Sequence, residues 1–276
     1  MVEVVGLTAN VLKRSIRIGV NGGSATAFTI EVDSRHYLIT AKHVVATAKE
    51  NATVKLWLDG AQIADADVTI LRCTDPIDIA VLVPKKILTV TQALPADPGG
   101  MQLGQDVYFV GFPYGDPNFI TITPALENVG FVRKAIWSSQ QIIDGAITMY
   151  FDGRNNEGFS GSPIVFLEDG KPRDFKVAGV ISGFKSDLSQ VLNFVKIQEK
   201  DVTDEDRALN RVRRGPDGSL GRLVPTGHVV QGNTGIVLGY DIKHAVDLIR
   251  AKGAKRSGSL IITSRFGALS TCLADT

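Results

Sequence analysis

Apolar residues fall in short runs for most of the chain, and the runs carry the composition of strands. They occur at SIRIGV (15–20), ATAFTIEV (25–32), HYLITA (36–41), TVKLWL (53–58), ADVTILRC (66–73), IAVLVP (79–84), DVYFVGF (106–112), ITMYF (147–151), SPIVFL (162–167) and KVAGVISGF (176–184). Clusters of glycine, proline, aspartate and asparagine separate them. Many short strands at this spacing predict an all-β sandwich or pair of barrels, not an alternation of strand and helix. Two helical signals interrupt the pattern. Residues 43–51 follow a strand and suit one short turn. Residues 241–252, DIKHAVDLIRAK, place Ala245, Leu248 and Ile249 on one apolar face, with Asp241 as N-cap and Gly253 as a stop. A late strand is expected at SLIITS (259–264). The stretch 185–232 has a different texture. Its QEKDVTDEDRALNRVRRGPDGSLGR is charged and turn-rich, and it reads as a long, partly mobile excursion between two ordered pieces.

Composition changes this picture little. The 276 residues are 44% hydrophobic and 21% charged, enough for one large or two small cores in a soluble protein. The formal net charge of +1 offers no global attraction to nucleic acid or to a membrane surface. No apolar run reaches the roughly 18 residues of a membrane span. The N-terminus lacks a basic segment followed by an apolar one, so no secretory signal is expected. Two distant cysteines, Cys73 and Cys272, do not make a disulfide framework, which points to a reducing, cytoplasmic compartment. Neither lies in a CxxC motif, and four scattered histidines do not supply a zinc site, so no metal or cofactor is expected.

The candidate chemistry lies in three short motifs. Nucleophilic serine catalysis needs a base for the hydroxyl proton, a carboxylate to orient the base, and backbone N–H groups for the oxyanion. His43 closes the apolar strand in YLITAKHVV, where a side chain is rigidly placed yet faces a cleft. Alone it reads rather as a capping or partly buried histidine. Asp78 stands before a hydrophobic strand in DPIDIAVLVP, and Asp75 competes for the same role; either also suits a turn. Ser160 sits in GFSGSP, where small neighbours let successive N–H groups of Gly158 and Ser160 converge. A glycine-rich hairpin turn would explain that run as well. The three occur in the order His, Asp, Ser, separated by 35 and 82 residues, each at a strand edge of a chain that reads as all-β.

Here a resemblance becomes specific. TAKHVV resembles TAAHVV, DIAVLVP resembles DIAVLKV, and GFSGSP resembles GNSGGP, motifs of the trypsin-like serine proteases of the two-barrel, chymotrypsin-related clan. VYFVGFPYG (107–115) and GIVLGYDIKHAVDLI (235–249) resemble further segments of the bacterial HtrA-type protease domains, to which the chain is most similar over roughly 20–255. The resemblance implies a single trypsin-like protease domain over 1–276 with two six-stranded antiparallel β-barrels, approximately 15–95 and 100–255, and a short C-terminal helix. The region 185–232 becomes a long loop inserted in the second barrel.

The resemblance further implies a serine endopeptidase acting on polypeptides without metal or cofactor. Ser160 would be the nucleophile, His43 the base and then acid, Asp78 the orienting carboxylate, and the N–H groups of Gly158 and Ser160 the oxyanion hole. Ile181, Ser182 and Gly183 would pair with substrate backbone as an added strand. The chain departs from the family at Phe159, where Asn or Asp is usual, at Ser162, and at Lys42, expected to point to solvent. Activation by a new N-terminus is not expected, for want of the family's cleavage site, and no PDZ domain is expected to follow. The inserted 185–232 is therefore the candidate surface for a regulatory protein partner. Arg154, six residues before Ser160, reads as a solvated arginine, and His228 and His244 as surface residues. Two other classes compete. A protease-fold binding or sensor module with a latent site would be favoured by a mobile, misregistered 152–159 loop. An α/β-hydrolase needs its histidine last in the chain, and His43 comes first.

Overall fold

Asn21-Gly22 and Asp33-Ser34 all adopt positive φ, the backbone that a tight two-residue hairpin turn favours. The computed structural model describes residues 6–57, 63–85, 94–113, 129–169, 171 and 174–261, with backbone alone at 63 and 254–261. Strands β1 (Ser15–Val20), β2 (Gly23–Val32), β3 (Arg35–Thr40), β4 (Asn51–Trp57), β5 (Ile63–Arg72) and β6 (Ala80–Pro84) form a closed barrel in the order β1-β2-β3-β6-β5-β4. Every pairing in it is antiparallel. Side chains alternate in direction along a strand. On β2 this sends Ala25 and Ala27 to the barrel interior with Ile18, Leu38 and Leu56, while Phe28, Ile30 and Val32 join a second cluster with Val165, Val177 and Val180. A short helix α1 (Ala9–Arg14) precedes the barrel, and its buried Arg14 pairs with Glu31 at 2.7 Å.

The second sheet contains β7 (Asp106–Gly111), β8 (Phe131–Ile143), β9 (Ala146–Asp152), β10 (Pro163–Leu167), β11 (Phe175–Lys196), β12 (Val212–Arg214) and β13 (Leu220–Asp241). Its order is β11-β10-β7-β8-β9-β13-β12, and β11 also pairs with β13. The core against this sheet holds Phe109, Met149, Phe151, Phe159, Ile164 and Phe166. The expected all-β class is observed, as one closed six-stranded barrel and a second sheet. The barrel, the second sheet and the C-terminal helix α3 (Lys243–Ile261) share the cluster that holds Phe28, Val110, Val177, Ala245 and Ile249.

Residues Lys185–Thr234 form a separate unit. They are not the irregular excursion expected. The outer parts of β11 and β13 run through them, with a helix α2 (Asp204–Ala208) whose N-cap Thr203 and Asp206 form a capping box. Arg222 reaches Asp206 at 2.7 Å. No buried core cluster draws on this unit, and Leu188, Val229 and Val230 remain exposed.

Other expectations need correction. Gly253 does not stop α3, which continues to Ile261; this takes the first three positions of the strand expected at 259–264, and 262–264 lie outside the described residues. Asp241 serves the helix start from the end of β13, accepting the Lys243 N–H at 2.8 Å. Of the motif 107–115, Tyr114 and Gly115 lie outside the described residues.

Candidate active site

The β3 strand ends at Thr40, and the chain then makes a single 3-10 turn, Lys42–Val45. Arg72 of β5 fixes the end of that turn, donating from Nη2 to the carbonyls of Val45 at 2.7 Å and Ala48 at 2.6 Å. A cation suits the unsatisfied carbonyls at the end of such a turn. His43 is thereby set facing Asp78, which precedes β6. Its backbone N–H donates to Asp78 Oδ1 at 2.9 Å, and its Nδ1 lies 2.7 Å from Oδ2. Ser182 Oγ donates to the same Oδ2 at 2.6 Å.

Burial alone would raise the Asp78 carboxyl. The hydrogen bonds from His43 and Ser182, with the charge of the neighbouring imidazole, outweigh it and hold the group below its ordinary value. An ionised Asp78 accepts from His43 Nδ1–H, which leaves Nε2 as the basic nitrogen. The rival Asp75 is exposed and takes the Lys42 ammonium at 2.6 Å. Lys42 is accordingly not directed to solvent: it also donates to the Cys73 carbonyl at 3.2 Å.

Ser160 lies in the turn between β9 and β10. Its Oγ donates to the Ser182 carbonyl at 3.2 Å, so Ser182 touches both the carboxylate and the serine. The glycines around it are sterically required. Gly158 (φ +96°) and Gly161 (φ +85°) are in the left-handed region; a Cβ at the first would overlap the Phe112 carbonyl, and at the second the Thr26 carbonyl. The Phe159 N–H is used by Asn156 O at 3.3 Å and the Gly161 N–H by Ile181 O at 2.8 Å. Among the described residues no acceptor takes the N–H of Gly158 or of Ser160. Those two donors are free to meet a third party.

Ile181 is buried, and both its backbone groups are spent on the serine turn: its N–H goes to Ser162 O and its C=O accepts from Gly161. Of the other two residues expected to meet substrate, the Ser182 carbonyl accepts from Ser160 Oγ at 3.2 Å and the Gly183 carbonyl from Asn155 Nδ2 at 3.0 Å.

Sequence reasoning missed two supports. It assigns Ser182 a role through its backbone and none through its side chain. Thr26, on the Phe28 face of β2, donates through its N–H to Ser160 O at 3.0 Å and through Oγ1 to Gly158 O at 2.7 Å, while accepting from Phe112 N at 3.1 Å. A hydroxyl amid the apolar run ATAFTI is the available signal. Phe159 does not enter the cleft; it is fully buried in the core against the second sheet. Arg154 and His228 are exposed. His244 is not a surface residue: half-buried on α3, its Nε2 accepts the Ile147 N–H at 2.9 Å, and burial pushes its pKa down. Among the described residues no group of three or more His, Cys, Asp or Glu could hold a metal ion. No described helix is long and apolar enough to cross a membrane.

Residues 25–172 match the family model of the trypsin-like peptidase domain. Similar solved structures include the Rv3671c protease of M. tuberculosis in an inactive form, 18% identical over 79% of this chain and 86% of that one, TM-score 0.45. The MamO protease domain from Magnetospirillum magneticum is 16% identical over 79% and 95%, TM-score 0.44. Deg5 is 16% identical over 63% and 80%, TM-score 0.46. No curated protein matches. The domain match spans more than half of the chain, and the chain belongs to the trypsin-like peptidase family.

Proposed function

We propose that this member of the trypsin-like peptidase family is a serine endopeptidase working through Ser160, His43 and Asp78. The observation that carries the proposal is the Asp78 carboxylate, held at once by His43 Nδ1 at 2.7 Å, His43 N at 2.9 Å and Ser182 Oγ at 2.6 Å. A carboxylate bonded this way keeps the imidazole in the tautomer a general base needs. The mechanism requires the Ser160 hydroxyl to leave Ser182 O and bond to His43 Nε2. The serine oxygen then attacks the scissile carbonyl as His43 takes its proton. The N–H groups of Gly158 and Ser160 bind the oxyanion, His43 protonates the leaving amine, and water releases the acyl group. An extended polypeptide lying along Ser182 and Gly183 is the substrate class this supports.

The buried free thiol of Cys73, which burial pushes up to about 11, suits a reducing compartment such as the cytoplasm. The exposed apolar residues of 185–232 support a regulatory protein partner there. Deleting 187–231 should then change activity or oligomeric state; no change in either sinks that part. One observation favours a second class, a sensor whose site is latent until a partner binds: the Ser160 hydroxyl is engaged by Ser182 O.

The test is casein hydrolysis by the wild type, Ser160→Ala and His43→Ala. Loss of hydrolysis in both variants is expected. Hydrolysis persisting in Ser160→Ala would end the proposal, and folded but inactive wild type would favour the latent module.

A further inference from the structure

Phe159 stands between the two residues whose N–H groups are free, and its ring is fully buried. The ring meets Phe109 edge-on, with centroids 5.4 Å apart and planes at 86°. The Arg133 guanidinium lies 5.8 Å from the ring centroid, and its Nη2 donates to Asn156 Oδ1 at 3.1 Å. One side chain of β8 therefore touches the loop at 156 and at 159. The space for the ring exists because residue 111 is glycine: a Cβ there would overlap Phe159 Cδ1. From the first barrel, Thr26 holds the carbonyls on either side of Phe159, Gly158 O and Ser160 O. The 158–160 backbone is thus fixed at both carbonyls and anchored in the middle by a side chain in the second core. Turning the Ser160 N–H elsewhere would break the bond that the Phe159 carbonyl of the same peptide accepts from Ser162 N–H at 2.9 Å, and moving the loop as a whole would withdraw the ring into water, which burial opposes.

We infer that Phe159 is a positioning residue: seated against Gly111 and Phe109, its ring acts as an apolar latch that aims the Gly158 and Ser160 N–H groups at one point. This rests on the serine-peptidase proposal above. The latch touches no reacting atom. Its loss should weaken stabilisation of the tetrahedral species and leave encounter with the substrate alone.

The test uses the full chain and a fluorophosphonate probe, with the maximal inactivation rate and the half-saturating concentration measured separately. Thermal midpoints are recorded alongside. Phe159→Leu and Gly111→Ala should each lower the maximal rate at least about tenfold with half-saturation within about twofold, short of the 10²–10³ expected for outright loss of one donor. Phe166→Leu, a fully buried phenylalanine in the same core, should lower the midpoint yet keep the rate within about twofold of wild type. If Phe159→Leu does not fold, Phe159→Met is judged by the same criterion. A rate for the Phe159 variant within twofold of wild type overturns the latch while the Ser160 chemistry stands, provided Ser160→Ala is unlabelled. Equal labelling of Ser160→Ala, or none of folded wild type, overturns both.

Discussion

Replacing Asp78 by asparagine changes the hydrogen bonding of one atom, and the surrounding geometry fixes how its partners respond. The carboxylate receives a fixed backbone donor, His43 N–H, at Oδ1, and two side-chain partners at Oδ2, His43 Nδ1 at 2.7 Å and Ser182 Oγ at 2.6 Å. A backbone N–H cannot become an acceptor, so the amide oxygen must take the Oδ1 position. The amide nitrogen then occupies the Oδ2 position and donates. Ser182 Oγ adapts by accepting, since a hydroxyl does either. His43 Nδ1 can adapt only by losing its proton, which places the proton on Nε2. All polar groups are satisfied, so the variant folds, but the nitrogen facing the serine is now a donor and not a base. Loss of the correct tautomer costs about 10⁴ in turnover in enzymes of this mechanism, about 5.5 kcal/mol of barrier. The assay is fluorophosphonate inactivation of Asp78→Asn beside casein hydrolysis, with circular dichroism to check folding. A folded variant that keeps more than a tenth of wild-type activity would refute the reasoning, because His43 would then not depend on Asp78 for its tautomer.

Three further outcomes are expected. Thr26→Val removes the donor to Gly158 O and the acceptor of Phe112 N; a buried polar group left unpaired costs about 1–3 kcal/mol, so the thermal midpoint should fall by several degrees, and an unchanged midpoint would contradict the bracing role. His244 is held neutral below its ordinary 6.5, so the unfolded chain takes up a proton first as pH falls; its contribution is present above about 6.5 and fades below. Thermal midpoints from pH 8 to 5 should drop less in His244→Gln than in wild type, and equal slopes would count against the Ile147 contact. Gly161→Ala sets a Cβ onto the Thr26 carbonyl at a positive φ and should prevent folding of the serine turn, seen as lost fluorophosphonate labelling; normal labelling would remove the steric argument.

The strands legible in the sequence are those with a buried face. β1, β3 and β10 carry enough apolar residues over a short span to be read locally. β8 escapes such a reading because Ala135 is its one buried residue, so nothing in FVRKAIWSSQQII marks an inward face. The long outer stretch of β13 escapes it for the same reason: it is polar, rich in turn residues and mostly exposed, and its pairing with β11 replaces the burial signal. At the site, His43, Asp78 and Ser160 stand out because each occupies a short motif. Their supports do not, because the contacts span large sequence distances. Ser182 meets Asp78 across 104 residues, and Thr26 meets Gly158 across 132. Phe159 reads only as a departure from the family's Asn or Asp because its neighbours belong to the serine turn; the direction of its side chain shows it to be part of the core.

The most direct measurement is peptide mapping by mass spectrometry after fluorophosphonate treatment of the folded wild type. The account predicts one adduct, on Ser160, absent when His43 is replaced by alanine. An adduct on another residue, or one on Ser160 at undiminished rate without His43, would contradict it.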